Sequence, residues 1–139
     1  MLELALVLVM VGMIASIVAP RISAVLTRSS AGQAASVVAG DLEQAVSLAS
    51  RQRRPVRIAC DCAAGTYEVT DRASGTLLFR RAITGAAGGF GATQLTFSPS
   101  VIDVFPSGLT SGALAILVGA AGATRQVTMS TGGFVRVVR

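Results

Sequence analysis

The sequence predicts an α+β fold in which one long N-terminal helix packs on antiparallel β-sheets. Three observations predict it. The run Leu4–Pro20 holds seventeen residues without a charge. From Ala34 to Ser50, apolar residues return at three- and four-residue spacing. After Pro55 the period drops to two, with turns rich in Gly, Ser and Asp. A period near 3.6 buries one stripe of a helix, and a period of two buries one face of a strand.

The first element is the apolar run. Seventeen helical residues span about 25 Å at ~1.5 Å per residue, close to the ~30 Å hydrocarbon layer of a bilayer. A cleaved secretory peptide fits less well, because no positive region precedes the run and it exceeds the usual ~7–15 apolar residues. The chain therefore divides into a transmembrane helix half, residues 1–22, and a globular head, residues 23–139. Pro20 removes a backbone donor and predicts a kink near its position. Beyond it the helix resumes as an amphipathic stretch over 33–52. Val38, Leu42, Ala45, Val46 and Ala49 form its buried stripe, and Asp41 and Glu43 are expected to face elsewhere. Arg51, Arg53 and Arg54 suit a helix C-terminus just before Pro55. One helix over 2–52, loosened at Pro20 and Gly32, is the result.

The β-rich part covers 55–139. Val56–Cys60 and Thr66–Thr70 alternate around a hairpin turn at Asp61–Gly65. Thr76–Ile83 follows a second turn. Thr84–Thr93, with four Gly and three Ala, predicts a mobile loop. Short strands at Gln94–Ser98 and Ile102–Phe105 flank Ser-Pro-Ser, and Phe105-Pro106-Ser107-Gly108 is a turn. Ala113–Val118, Arg125–Ser130 and Phe134–Val138 complete the set. An antiparallel meander covering one helix is the simplest arrangement.

Composition narrows the chemistry. Twelve arginines against seven acids give a net charge of +5, which attracts anionic surfaces without choosing among them. The sequence holds no His. That removes most metal sites and His-based catalysis. It also lacks a Gly-x-Ser-x-Gly elbow, a P-loop Lys and a carboxylate cluster, so no enzyme, cofactor or metal is expected. Cys60 and Cys62 point to one face of a strand. Free thiols, a disulfide closed over one residue, and a metal pair with ligands from elsewhere all stay open, in falling order. Arg136 and Arg139 form one basic group near the C-terminus, and Arg51, Arg53, Arg54 and Arg57 another. Solvation accounts for both; a weak, salt-dependent phosphate strip is the alternative. One Tyr and no Trp leave little stacking platform for nucleic acid.

The order of residues at the start is more specific than its hydrophobicity. Leu2-Glu3-Leu4, the apolar run with Gly12, and Ala19-Pro20-Arg21 resemble the N-terminal segment of type IV pilins and type II secretion pseudopilins. Glu3 and Pro20 keep that family's mutual spacing. Glu3 stands third where the family has its Glu fifth, which leaves open whether a basic leader ending in Gly precedes Met1. The stretch Asp41–Ala49 with Arg54-Pro55-Val56, the Phe105–Gly108 turn, and the final Gly132-Gly133-Phe134-Val135-Arg136-Val137-Val138-Arg139 resemble the GspH/FimT minor pseudopilins.

The resemblance implies a pilin-like fold and assembly into a filament through Glu3, Leu4, Gly12 and Pro20. Glu3 would pair with the N-terminal amine of a neighbouring subunit inside an apolar filament core. Partners would be other pilins or pseudopilins and the bacterial inner membrane, with secreted cargo or DNA beyond. Arg21 and Arg28 by themselves argue for a cytoplasmic head; the resemblance implies a periplasmic one on a single-pass anchor, and that reading is preferred. A secretion pseudopilus comes first. A pilus or DNA-uptake minor pilin, holding DNA through Arg136 and Arg139, is the alternative.

Overall fold

The structure, a computed structural model, describes the backbone of residues 2–138 and their side chains apart from those of Leu2, Ala5 and residues 17–27. The expectations placed on the Pro20 ring and on Arg139 lie outside these residues.

Helix α1 runs unbroken over Leu2–Gln52 and continues through Gly32. Strands β1 (Val56–Asp61), β2 (Thr66–Asp71) and β3 (Leu77–Ala82) follow as two hairpins. A one-turn helix, α2 (Gly85–Gly88), precedes β4 (Gln94–Ser98) and β5 (Val101–Val104). Strands β6 (Leu114–Ala120), β7 (Ala123–Met129) and β8 (Val135–Val138) form the C-terminal meander.

These strands make two four-stranded sheets rather than one meander, in the orders β3-β2-β1-β5 and β4-β6-β7-β8. Widths explain the correction. Eight strands at ~4.8 Å spread over nearly 40 Å, whereas a helix is ~10–12 Å across and covers two or three strands. A single sheet would leave most of its apolar face wet. Instead the chain crosses over after Ser98. β4 joins the second sheet, and β5 returns to β1, where Ile102 lies beside Ile58 and Val104 beside Val56.

The second half of α1 packs chiefly on β7, β6 and β8, and more lightly on β1 and β5. Its buried stripe is Ala31, Ala34, Ala35, Val38, Leu42, Ala45 and Ala49. The small alanines let the helix approach the sheet closely, and Leu42 fills the centre. One continuous apolar core joins both sheets to this stripe. The rings of Tyr67 and Phe97 meet across the sheets at 5.6 Å between centroids.

One local expectation changes. Residues 84–93 are not a plain loop: α2 and a bridge between Thr84 and Ala92 organise them. Gly88 sits so close to the Ile83 carbonyl that a Cβ would fall 2.2 Å from its oxygen, which explains a glycine there. The Phe105–Gly108 turn forms as expected. Gly108 closes it with φ +83° and a hydrogen bond from its N–H to the Phe105 carbonyl.

Candidate functional site

The N-terminal half of α1 carries the first candidate surface. Every side chain described between Glu3 and Ser16 is exposed. Leu4 is 69% exposed, and Leu8, Met10 and Ile14 resemble it. Among the described residues, nine large apolar side chains thus line this stretch of helix with nothing packed on them. A water-soluble surface does not sustain such a patch. Each of these side chains gains about 1.5–3 kcal/mol when taken out of water. The stretch therefore requires an apolar host. Gly12 has nothing within 4 Å of where a Cβ would stand, so the helix surface there is open to close approach. Among the described residues no helical stretch is long and apolar enough to cross a membrane.

The second feature was not anticipated. Asp41 is 6% exposed and faces into the head, contrary to the expectation that it points away. The Tyr67 hydroxyl donates to its Oδ2 at 2.5 Å, and Arg81 Nη2 donates to its Oδ1 at 2.9 Å. Arg81 Nε also bonds Asp41. Burial raises the Tyr67 hydroxyl pKa above its ordinary value, and the bonded Asp41 carboxylate adds to the rise. The hydrogen bond to Asp41 likewise raises the Arg81 pKa. Position 41 lies three residues after Val38, so helical spacing does put it on the buried stripe. A charged residue amid alanines masked that signal.

Most charges of the first sheet and its turns are paired. Arg57 and Arg72 both pair with Asp103, at 2.8 Å and 3.2 Å. Arg80 pairs with Glu68 at 2.8 Å, and Arg54 lies 3.8 Å from Asp71. Arg54 and Arg57 thus leave the basic group proposed around the helix end. The hydrogen bond from Arg57 holds the Asp103 carboxyl below its ordinary 3.8, against the opposing effect of burial. Backbone N–H bonds from Ser74 and Ala73 do the same for Asp71.

A depressed carboxyl pKa means the unfolded chain binds more protons through the acid range. The stability these groups supply is complete above about pH 4 and is lost as pH falls below 3.8 through their depressed values. Melting temperature should therefore hold level from pH 6 to 4 and drop below, and Arg57→Gln should shallow that drop. Thermal melts across this range check it.

The second sheet differs. From Val104 to Arg139 the sequence contains no acid and three arginines, Arg125, Arg136 and Arg139. Arg136 is exposed on β8, and neither it nor Arg125 has an ion pair among the described residues. Arg125 lies on the inner-facing side of β7, Arg136 on the outer-facing side of β8, so the structure does not bring them into one row. Cys60 and Cys62 are joined by a disulfide with Cα atoms 5.1 Å apart, so the free thiols ranked first are not what the structure holds. No group of three or more His, Cys, Asp or Glu among the described residues is placed to hold a metal.

A long helix whose C-terminal half lies on an antiparallel sheet, with its N-terminal half bare and apolar, is the architecture of a pilin-like fold. Two solved structures make the likeness particular. One is the type IV minor pilin FimU of Pseudomonas aeruginosa, 17% identical, with a TM-score of 0.65 over 81% of this chain and 90% of that one. The other is the minor pseudopilin EpsH of the Vibrio cholerae type 2 secretion system, 16% identical, with a TM-score of 0.59 over 78% of this chain and 96% of that one. No protein-family model and no curated protein matches the sequence. The fold is that of the minor pilins and pseudopilins, as the N-terminal and C-terminal motifs imply.

Proposed function

We propose that the chain is a minor pseudopilin of a type II secretion system, anchored in the inner membrane with its head in the periplasm. The carrying observation is the bare apolar half of α1 ahead of a fully packed pilin-like head. Lipid covers this helix before assembly, and the helices of neighbouring subunits cover it afterwards. The same surface is buried in both states, so transfer between them needs no large change in apolar exposure. Glu3 lies in the first turn, where the helix dipole favours a carboxylate. In the filament core it meets a neighbour's amine, and low dielectric penalises every stagger that leaves it unpaired. The protein acts by assembly and contact with cargo, not by catalysis.

Glu3→Ala should leave membrane retention intact and lower incorporation into the filament. Fractionation followed by pull-down with pilin-like partners separates the two effects. Loss of retention together with incorporation would contradict the role given to Glu3.

The acid-free second sheet favours one other reading, a pilus or DNA-uptake minor pilin that holds DNA through Arg136 and Arg139. Two to four phosphate contacts predict weak binding whose logarithm falls with log salt at a slope of roughly −2 to −4. A salt titration with duplex DNA decides it. Retention unchanged in the Arg136→Ala, Arg139→Ala double variant removes this reading.

A further inference from the structure

We infer that the free edge of β8 accepts an extended segment of a protein partner as an added strand, with the pattern apolar–acidic–apolar. This holds whichever machine the helix serves. β8 has one neighbour, β7, in register Met129–Val135, Thr128–Arg136, Val127–Val137 and Gln126–Val138. The Ser130 N–H donates to the Phe134 carbonyl at 3.0 Å, so that pair is a bonded one. Bonded pairs alternate in an antiparallel ladder, which makes Thr128–Arg136 bonded and turns the backbone groups of Val135 and Val137 away from β7. The Thr128 hydroxyl reaches the Arg136 carbonyl at 3.5 Å, which agrees. Val135 and Val137 therefore offer two N–H and two C=O groups to the open edge.

Other edges are blunted. Thr110 bridges to Val104 and the Ser111 N–H bonds the Asp103 carbonyl, which covers β5. Strand β3 places Arg80 and Arg81 in ion pairs. At β4 the exposed side chains are Gln94, Thr96 and Ser98, all polar. Beside β8, by contrast, Phe134 is 80% exposed and Val137 and Val138 are exposed too. An apolar edge without such protection is a template for strand addition.

There is room on both faces. Val137 lines a groove of about 970 Å³ floored by Gly32 and Ser36 of α1. Arg136 and Phe134 line the β8 end of another, of about 740 Å³, which runs across the outer face of the sheet through Thr128 to Ser98. A strand bonded to Val135 and Val137 sets its middle residue opposite Arg136 in a non-bonded pair, where side chains come closest. The unpaired guanidinium selects a carboxylate there. The flanking residues turn inward toward Val135 and Val137, which select apolar side chains. Nucleic acid fits this edge less well, because phosphates cannot satisfy alternating N–H and C=O groups.

The test uses the full chain in detergent micelles and a labelled peptide, Gly-Ser-Val-Glu-Val-Ser-Gly, read by fluorescence anisotropy. Saturable binding below about 1 mM is expected. Arg136→Glu should weaken it about tenfold, and a Val-Lys-Val peptide should recover binding to that variant. Val137→Pro removes an edge donor that β7 does not use, so it should abolish binding without shifting the melt. Where that variant does not fold, a peptide N-methylated at its two valines must fail to bind the unaltered chain. Binding that survives both backbone changes overturns the proposal. So does the absence of saturable binding, or Arg136-dependent binding of duplex DNA with none of the peptide.

Discussion

Asp41→Ala should lower the stability of the head by about 2–4 kcal/mol, the largest effect of any single polar substitution. Removing one partner of a buried ion pair costs roughly 3–5 kcal/mol, because the other charge stays behind uncompensated. Here the Arg81 side chain is 41% exposed, so water recovers part of that cost. The Tyr67 hydroxyl has no such relief. It is 1% exposed, and its one acceptor is lost, which costs about 1–3 kcal/mol. For a unitary transition, a domain near this size shifts by about 4 °C per kcal/mol, so the melt should fall by roughly 8–16 °C. Asp41→Asn keeps an acceptor for Tyr67 and should cost less. Tyr67→Phe leaves the Asp41–Arg81 pair intact and should cost about 1 kcal/mol. Equal losses for Tyr67→Phe and Asp41→Ala would show that Asp41 is not the centre of the network.

Val11→Arg should abolish assembly while leaving the head untouched. Val11 stands near the middle of the uncharged run Leu4–Pro20, and its side chain is exposed in the isolated chain. A charge at the centre of a membrane helix costs about 2.5–3.5 kcal/mol on insertion scales, or roughly a hundredfold in partition. In the proposed filament core the same guanidinium would meet packed apolar helices and be no better hosted. The described core begins at Ala31, so the melt of the head should not move. Membrane fractionation, filament incorporation and thermal melting, measured side by side, check the three parts. A loss of head stability with normal retention would contradict the division of labour within α1.

Much of this was legible in the chain because the signals are local. Pro55 and the arginines before it mark the end of α1, and Gly65, Gly75 and Gly108 mark turns that need positive φ. Alternation placed every strand within a few residues. What alternation cannot carry is partnership. The pairing of β5 with β1 depends on residues more than forty positions apart, and nothing in Val101–Val104 names its neighbour. The same holds for Asp41. Its place on the stripe follows from spacing to Val38, but its burial depends on Tyr67 and Arg81, which only the folded sheet brings near. The contrast between a largely paired first sheet and an acid-free second one was hidden for a related reason. The sequence shows where acids stop, at Asp103, but not which arginines they hold.

In the proposed role, one apolar helix surface serves lipid and pilin-like neighbours in succession. Photocrosslinking from an unnatural residue at position 11, in cells that make the native machine, tests it most directly. Lipid adducts are expected when assembly is off, and adducts with pilin-like subunits when it is on. Adducts to neither, or to the same soluble protein in both conditions, would contradict it.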